Sequence, residues 1–189
     1  DVDGVTQDDI KFIEDNLGNE KIVAIGEIGL DYYYTKDNKE EQIKLFEAQL
    51  DLAEKYNLPV IVHSRDATED TINSLKKFNC KGVIHSFSGS LETAKIYIKM
   101  GYLLGVNGVI TFKNAKIKEV IKEVGLENIV LETDSPYLTP EPFRGKQNNP
   151  GHVLEVAKFV AALYNISLEE LAEQTNKNII NMYKKIKLD

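Results

Sequence analysis

Four side chains able to bind cations or move protons each follow a short apolar run in this sequence. Glu27 follows Val23-Ala24-Ile25-Gly26, His63 follows Val60-Ile61-Val62, His85 follows Gly82-Val83-Ile84, and Asp134 closes the stretch Ile129-Val130-Leu131-Glu132-Thr133. Glu132 lies two residues before Asp134, so the two-residue period of a strand puts both carboxylates on one side. A pair of acids at the mouth of an apolar core is unfavourable unless a metal ion, a basic side chain or a backbone nest sits beside it. Imidazole and carboxylate together suit Zn, Mn or Mg, which support hydrolytic chemistry. Taken singly, each residue has an ordinary structural reading. A lone strand-end His is more often hydrogen-bonded within the fold, Glu27 fits a cap or loop, and Glu132 with Asp134 fits the cap of a following helix. Two histidines with two or three carboxylates, all late in their strands, favour the metal reading.

The elements that must position these groups alternate along the chain. Apolar runs at 21–30, 59–64, 81–87, 102–108 and 128–134 predict strands. Helices are predicted over 7–17, 39–57, 67–78, 90–100, 114–124, 151–164, 168–175 and 177–186. In the second of these, Ile43, Phe46, Leu50 and Ala53 or Tyr56 recur at helical spacing. Thr6 with Asp9, Asp66 with Glu69 and Ser167 with Glu170 offer capping boxes. Such alternation predicts a parallel α/β sheet covered by helices, either an open doubly wound sheet or a closed barrel. No glycine-rich nucleotide fingerprint follows a strand, which weakens the open-sheet reading, and the five visible strands fall short of the barrel's eight. All strand ends of a parallel sheet share one face, where barrels assemble their chemistry.

The 189 residues, 42% hydrophobic and 28% charged, suit one domain with a sizeable core, and there is no linker or low-complexity tract. No apolar stretch has the ~20 residues of a membrane span. Cys80 is the only cysteine, which excludes an internal disulfide and fits a reducing cytoplasm. A net charge of −7 opposes broad, charge-driven binding to nucleic acid or anionic lipid, while leaving room for a local basic cleft. Only two of the 23 basic residues are arginines. Arg65 follows His63-Ser64 and Arg144 lies in the loop PEPFRGKQNNP, positions that suit bidentate anion binding or an ordinary surface charge. His152, at the start of a helix after Pro150-Gly151, reads as a structural or surface residue. The opening DVDGVTQDD, a loop without Met, reads as the start of a fragment or processed chain.

Four stretches, GEIGLDYY (26–33), PVIVHSRDA (59–67), VIHSFSGS (83–90) and LETDSPYLTP with RGKQNNP (131–150), occur in an order that resembles the TatD family of metal-dependent deoxyribonucleases. The resemblance covers nearly the whole chain. It implies a (β/α)₈ TIM barrel of the amidohydrolase-like type, cytoplasmic, with two divalent metal ions (Mg, Mn or Zn) at the C-terminal face. The implied activity is two-metal hydrolysis of phosphodiesters in DNA, often as a 3′→5′ exonuclease. On this resemblance Glu27 bridges the metals, His63 and His85 hold one, and Asp134 ligates the other and orients the attacking water. Glu132 supports them, and Arg65, Ser88 and Arg144 hold substrate phosphate. The family pattern opens with a strand carrying His-x-His, and this sequence contains no such pair. The expectation is therefore a single domain over 1–189 lacking its first one or two β/α units, with one metal or none and weak or absent nuclease activity. Alternatives are a metal-dependent amide or ester hydrolase on the same scaffold and a non-catalytic binding module. Against the first, no Lys is placed to act as a carboxylated metal bridge.

Overall fold

The apolar run at 21–30 predicts a strand from residue 21, yet in the computed structural model, which describes residues 4–186, β1 spans Ile25–Asp31. Lys21 is instead in a turn, its N–H donating to the Asn19 side chain at 2.9 Å. The first three residues of the expected opening loop lie outside the described residues. Described residues up to Val83, with those after Asn181, form one compact unit, and Ile84–Asn181 form a second. The boundary falls within strand β3 (Gly82–Ile84).

The first unit contains α1 (Gln7–Asn16), β1, α2 (Lys39–Lys55), β2 (Val60–Arg65) and α3 (Thr68–Leu75). α1 starts at a capping box: the Asp9 carboxylate accepts from the Thr6 N–H and hydroxyl, both at 2.8 Å. α2 buries Phe46, Leu50 and Ala53 completely, a stripe at helical spacing worth about 1.5–3 kcal/mol for each large side chain. Ile43, expected on that stripe, is half-buried, and its neighbour Gln42 is buried instead. The expected Asp66 box does not form. Asp66 adopts a left-handed conformation (φ 54°), and the cap position of α3 falls to Ala67 with no side-chain cap bond. β1 and β2 run parallel with Gly29 opposite His63 and Asp31 opposite Arg65. Between Ile25 and Ile28 the register slips, so β1 carries an extra residue at Gly26-Glu27.

The second unit contains α4 (Leu91–Lys99), β4 (Tyr102–Val106), α5 (Ile117–Val124), β5 (Ile129–Leu131), α6 (Val153–Tyr164) and all but the last residue of α7 (Leu168–Met182). Every residue of β4 is buried, and β4 pairs parallel with β5 in the register Leu104 to Ile129. The two helices predicted over 168–186 are one. Buried Thr175 and Asn178 interrupt its apolar periodicity without breaking it. Thr175 donates to the Leu171 carbonyl (3.0 Å), and Asn178 donates to the carbonyls of Leu126 and Ile129 (2.7 and 2.8 Å), fixing the start of β5. The Ser167–Glu170 box that starts α7 is present. Among the described residues no helix is long and apolar enough to cross a membrane.

Candidate functional site

In the first unit the β1 bulge decides where Glu27 points. An extra residue breaks the in–out alternation of the strand, and the Glu27 side chain is half exposed (50%) between buried Ile25 and Ile28. It therefore lies early in β1; the residue at the strand's end is Asp31. His63, inside β2, sits between the two acids. Its Nε2 is 3.0 Å from Asp31 Oδ2, and its Nδ1 is 3.9 Å from Glu27 Oε2. Gln42 holds Asp31 by its backbone, accepting from its N–H and donating to its carbonyl, each at 2.9 Å. Gly29 lets the strands approach at this point. A Cβ there would strike the His63 carbonyl, and its φ of 144° is one that side-chain-bearing residues rarely adopt.

In the second unit His85 follows β3 directly and is again flanked by acids. Nδ1 is 3.0 Å from Glu132 Oε2, and Nε2 is 3.3 Å from Asp134 Oδ1. Glu132 also accepts the Ser86 N–H at 2.6 Å, while the Ser86 hydroxyl accepts from buried Asn107 at 2.6 Å. A Cβ on Gly105 would lie 2.6 Å from Glu132 Oε2, so glycine leaves the room this carboxylate occupies. Ser86 (φ 49°) and Asp134 (φ 56°) are both left-handed, a conformation that costs a non-glycine residue about 1–3 kcal/mol. The turn holding Asp134 is pinned by Asn148, which donates to the carbonyls of Thr133 (2.8 Å) and Tyr137 (2.6 Å). The helix-cap reading of Glu132 and Asp134 gives way to this network, since turns, not a helix, follow them.

Each histidine is thus gripped on opposite ring edges, and its two acids do not converge on one point. Among the described residues no group of three or more His, Cys, Asp or Glu side chains could hold a metal ion. The donors nonetheless fit a divalent cation in kind. A ligating imidazole characteristically gives its other nitrogen to a carboxylate, which sets its tautomer and orientation. Asp31 and Glu132, at 3.0 Å, suit that supporting role, leaving Glu27 and Asp134 on the cation side. Asp31, Gln42, Asn107 and Asn148 were not singled out from the sequence.

The residues expected at phosphate are exposed: Arg65, Ser88 and Arg144. Arg65 stacks on Tyr33 with its guanidinium carbon 3.5 Å from the ring centroid, and Arg144 stacks on Phe112 at 4.0 Å. Stacking leaves the edge donors of a guanidinium available to an anion. His152 is structural as expected, stacked on Phe143 (centroids 4.6 Å) and 2.9 Å from Asn148 Oδ1. Beside the first cluster, burial and then the hydrogen bond to Asp70 push the Tyr32 phenol up to about 12.

Parallel strands that alternate with covering helices, with acids and imidazoles on or just after the strands, define an α/β protein of the TIM-barrel class. A family model described as TatD related DNase matches residues 1–184, and the chain belongs to that family. It is 44% identical over 184 residues to the uncharacterized metal-dependent hydrolase YabD of Bacillus subtilis, covering 95% of this chain and 72% of that protein. The crystal structure of YjjV, a TatD homologue from Escherichia coli K12, is similar with a TM-score of 0.88 at 32% identity, covering 95% of this chain and 71% of that one. An uncharacterized amidohydrolase of Saccharomyces cerevisiae has a TM-score of 0.79 at 21% identity, covering 92% of this chain and 69% of that one, a likeness of fold alone.

Proposed function

We propose that this chain belongs to a metal-dependent hydrolase that cleaves phosphodiester bonds in DNA, shortening single strands from the 3′ end. The observation that carries the reading is the repeated arrangement of one imidazole between a close, orienting carboxylate and a more distant one. The family description supports DNA as the substrate, and the name of the Bacillus relative supports metal-dependent hydrolysis without naming a substrate. His63 with Glu27, and His85 with Asp134, are the donors this chain would offer to divalent cations of the Mg, Mn or Zn type. When bound, such ions lower the pKa of water and stabilise charge on the attacking and leaving oxygens.

The protein's own groups have distinct tasks. Asp31 and Glu132 fix ring orientation, Asp134 takes the proton of the attacking water, and the edges of Arg65 and Arg144, with Ser88, hold phosphate oxygens. The test is turnover of a 5′-labelled single-stranded oligonucleotide with each metal added, beside an aryl ester, with bound metal measured. Stepwise shortening that EDTA abolishes is expected, at a low rate in this chain, which carries no His-x-His pair. Ester cleavage without DNA cleavage would contradict the phosphodiester assignment, because fold alone does not choose between these reactions.

A further inference from the structure

Two of the most exposed aromatic side chains are consecutive: Tyr33 at 57% and Tyr34 at 81%. They follow Asp31 at the end of β1, where burial would be expected to claim large rings. The rings meet edge to face, with centroids 4.9 Å apart at 90°. The Arg65 guanidinium covers Tyr33 at 3.5 Å and lies 5.6 Å from the centroid of Tyr34.

The arrangement is anchored rather than loose. The Tyr33 N–H donates to Asp31 Oδ1 (2.9 Å), while the other oxygen of that carboxylate contacts His63. The Tyr32 N–H donates to the Arg65 carbonyl (2.9 Å), and the Tyr32 hydroxyl donates to Asp70 (3.0 Å). One carboxylate thus ties the aromatic pair to the Glu27–His63 cluster.

The surface chemistry narrows what these rings meet. They do not form the apolar groove that accepts an amphipathic helix, and a cation is built into them. Aromatic rings with an adjacent guanidinium are how proteins hold unpaired bases, the ring stacking on the base and the arginine reaching the phosphate. On a chain of net charge −7, a fixed cation here supplies the local attraction that the whole molecule does not.

We infer that Tyr33, Tyr34 and Arg65 form a stacking platform for an unpaired base of a single-stranded nucleic acid beside the Glu27–His63–Asp31 cluster. The inference rests on the phosphodiester reading for the bond that is cut; the recognition of a base stands on the platform's own contacts.

The test is anisotropy of a labelled oligothymidylate and of an abasic strand of equal length, both in EDTA so that binding is read without cleavage. The proteins compared are the wild type, Tyr33→Ser, Tyr34→Ser and Tyr34→Phe, each checked by circular dichroism. Wild type should prefer the base-bearing strand by about 5- to 150-fold, the equivalent of one stacked base. Each Ser variant should lose much of that preference and Tyr34→Phe should keep it. Since the chain contains no Trp, Tyr34→Trp adds a reporter whose emission a stacked base should quench. Equal binding of the two strands by wild type, or a preference unchanged in both Ser variants, would overturn the inference. Base-dependent binding without metal-dependent shortening of the 5′-labelled oligonucleotide would refute the hydrolase reading and leave the platform standing. Cleavage without base-dependent binding would do the reverse.

Discussion

The clusters around His63 and His85 share a plan, one ring between two acids, but differ in how firmly the fold holds them. The His85 side chain is 10% exposed and its close partner Glu132 19%, whereas His63 and Asp31 are 35% and 30% exposed. Glu132 is bound on both oxygens, by His85 and by the Ser86 N–H, and Asn107 supports that serine in turn. Asp31 is held through its backbone by Gln42, and its two carboxylate oxygens meet His63 and the N–H of exposed Tyr33, in the loop after β1. A drier, fully connected network strengthens each of its electrostatic contacts and makes any unmet group in it costly. The His85 cluster is therefore the preorganised one, and the His63 cluster the one open to solvent and substrate.

The largest effects should come from the cation-side acids. Glu27→Ala and Asp134→Ala are each expected to reduce metal-dependent hydrolysis by at least about a thousandfold, beyond the roughly 10- to 100-fold typical of an outer-shell partner, with the circular dichroism spectrum unchanged. The supporting acids should separate the clusters. Glu132→Ala should weaken metal affinity by about 100-fold and lower stability by about 1–3 kcal/mol, because it leaves the Ser86 N–H without its partner. Asp31→Ala should cost only about tenfold in affinity and little stability, as water can reach this half-buried position and replace the carboxylate. Denaturant melts and metal titrations of the two variants read both quantities, and equal effects would erase the distinction.

Glycines sharpen the comparison further. Gly29→Ala meets backbone, the His63 carbonyl, and should destabilise the fold as a whole. Gly105→Ala meets the end of a side chain, the Glu132 carboxylate, and should behave as a milder Glu132 variant, with stability reduced by about 1 kcal/mol. A Gly105→Ala protein with unchanged metal affinity would show that Glu132 is free to move without consequence.

The smallest effect is a dependence on alkaline pH. Burial first, then Asp70, raises the Tyr32 phenol to about 12, and burial, then the nearby Glu127, raises Tyr164 to about 12. Both are acids whose neutral form the folded state favours, so the unfolded chain releases these protons first. Stability should fall as pH rises from about 10 to about 12. Tyr32→Phe and Tyr164→Phe should each flatten that decline in thermal melts.

The α/β class and the cluster residues Glu27, His63, His85, Glu132 and Asp134 were legible in the sequence because each interrupts or closes an apolar run. What supports them was not. Asp31 reads as one more acid before three tyrosines, and its contact with His63 spans 32 positions. Gln42, Asn107 and Asn148 matter through what they hold, and local pattern carries no signal for that. Boundaries failed for local reasons: the turn at Lys21, the left-handed Asp66, and the polar residues that hid the continuity of α7.

The most direct test of the central claim, that Glu27 and Asp134 are the cation-side acids while Glu132 orients its histidine, is a calorimetric titration of Mn into wild type, Glu27→Ala, Asp134→Ala and Glu132→Ala. Saturable binding to wild type is expected, with a loss of more than about 100-fold at the site lined by the acid removed in each of the first two variants, and a smaller loss at the His85 site in the third. Binding unchanged by removal of either Glu27 or Asp134 would contradict it.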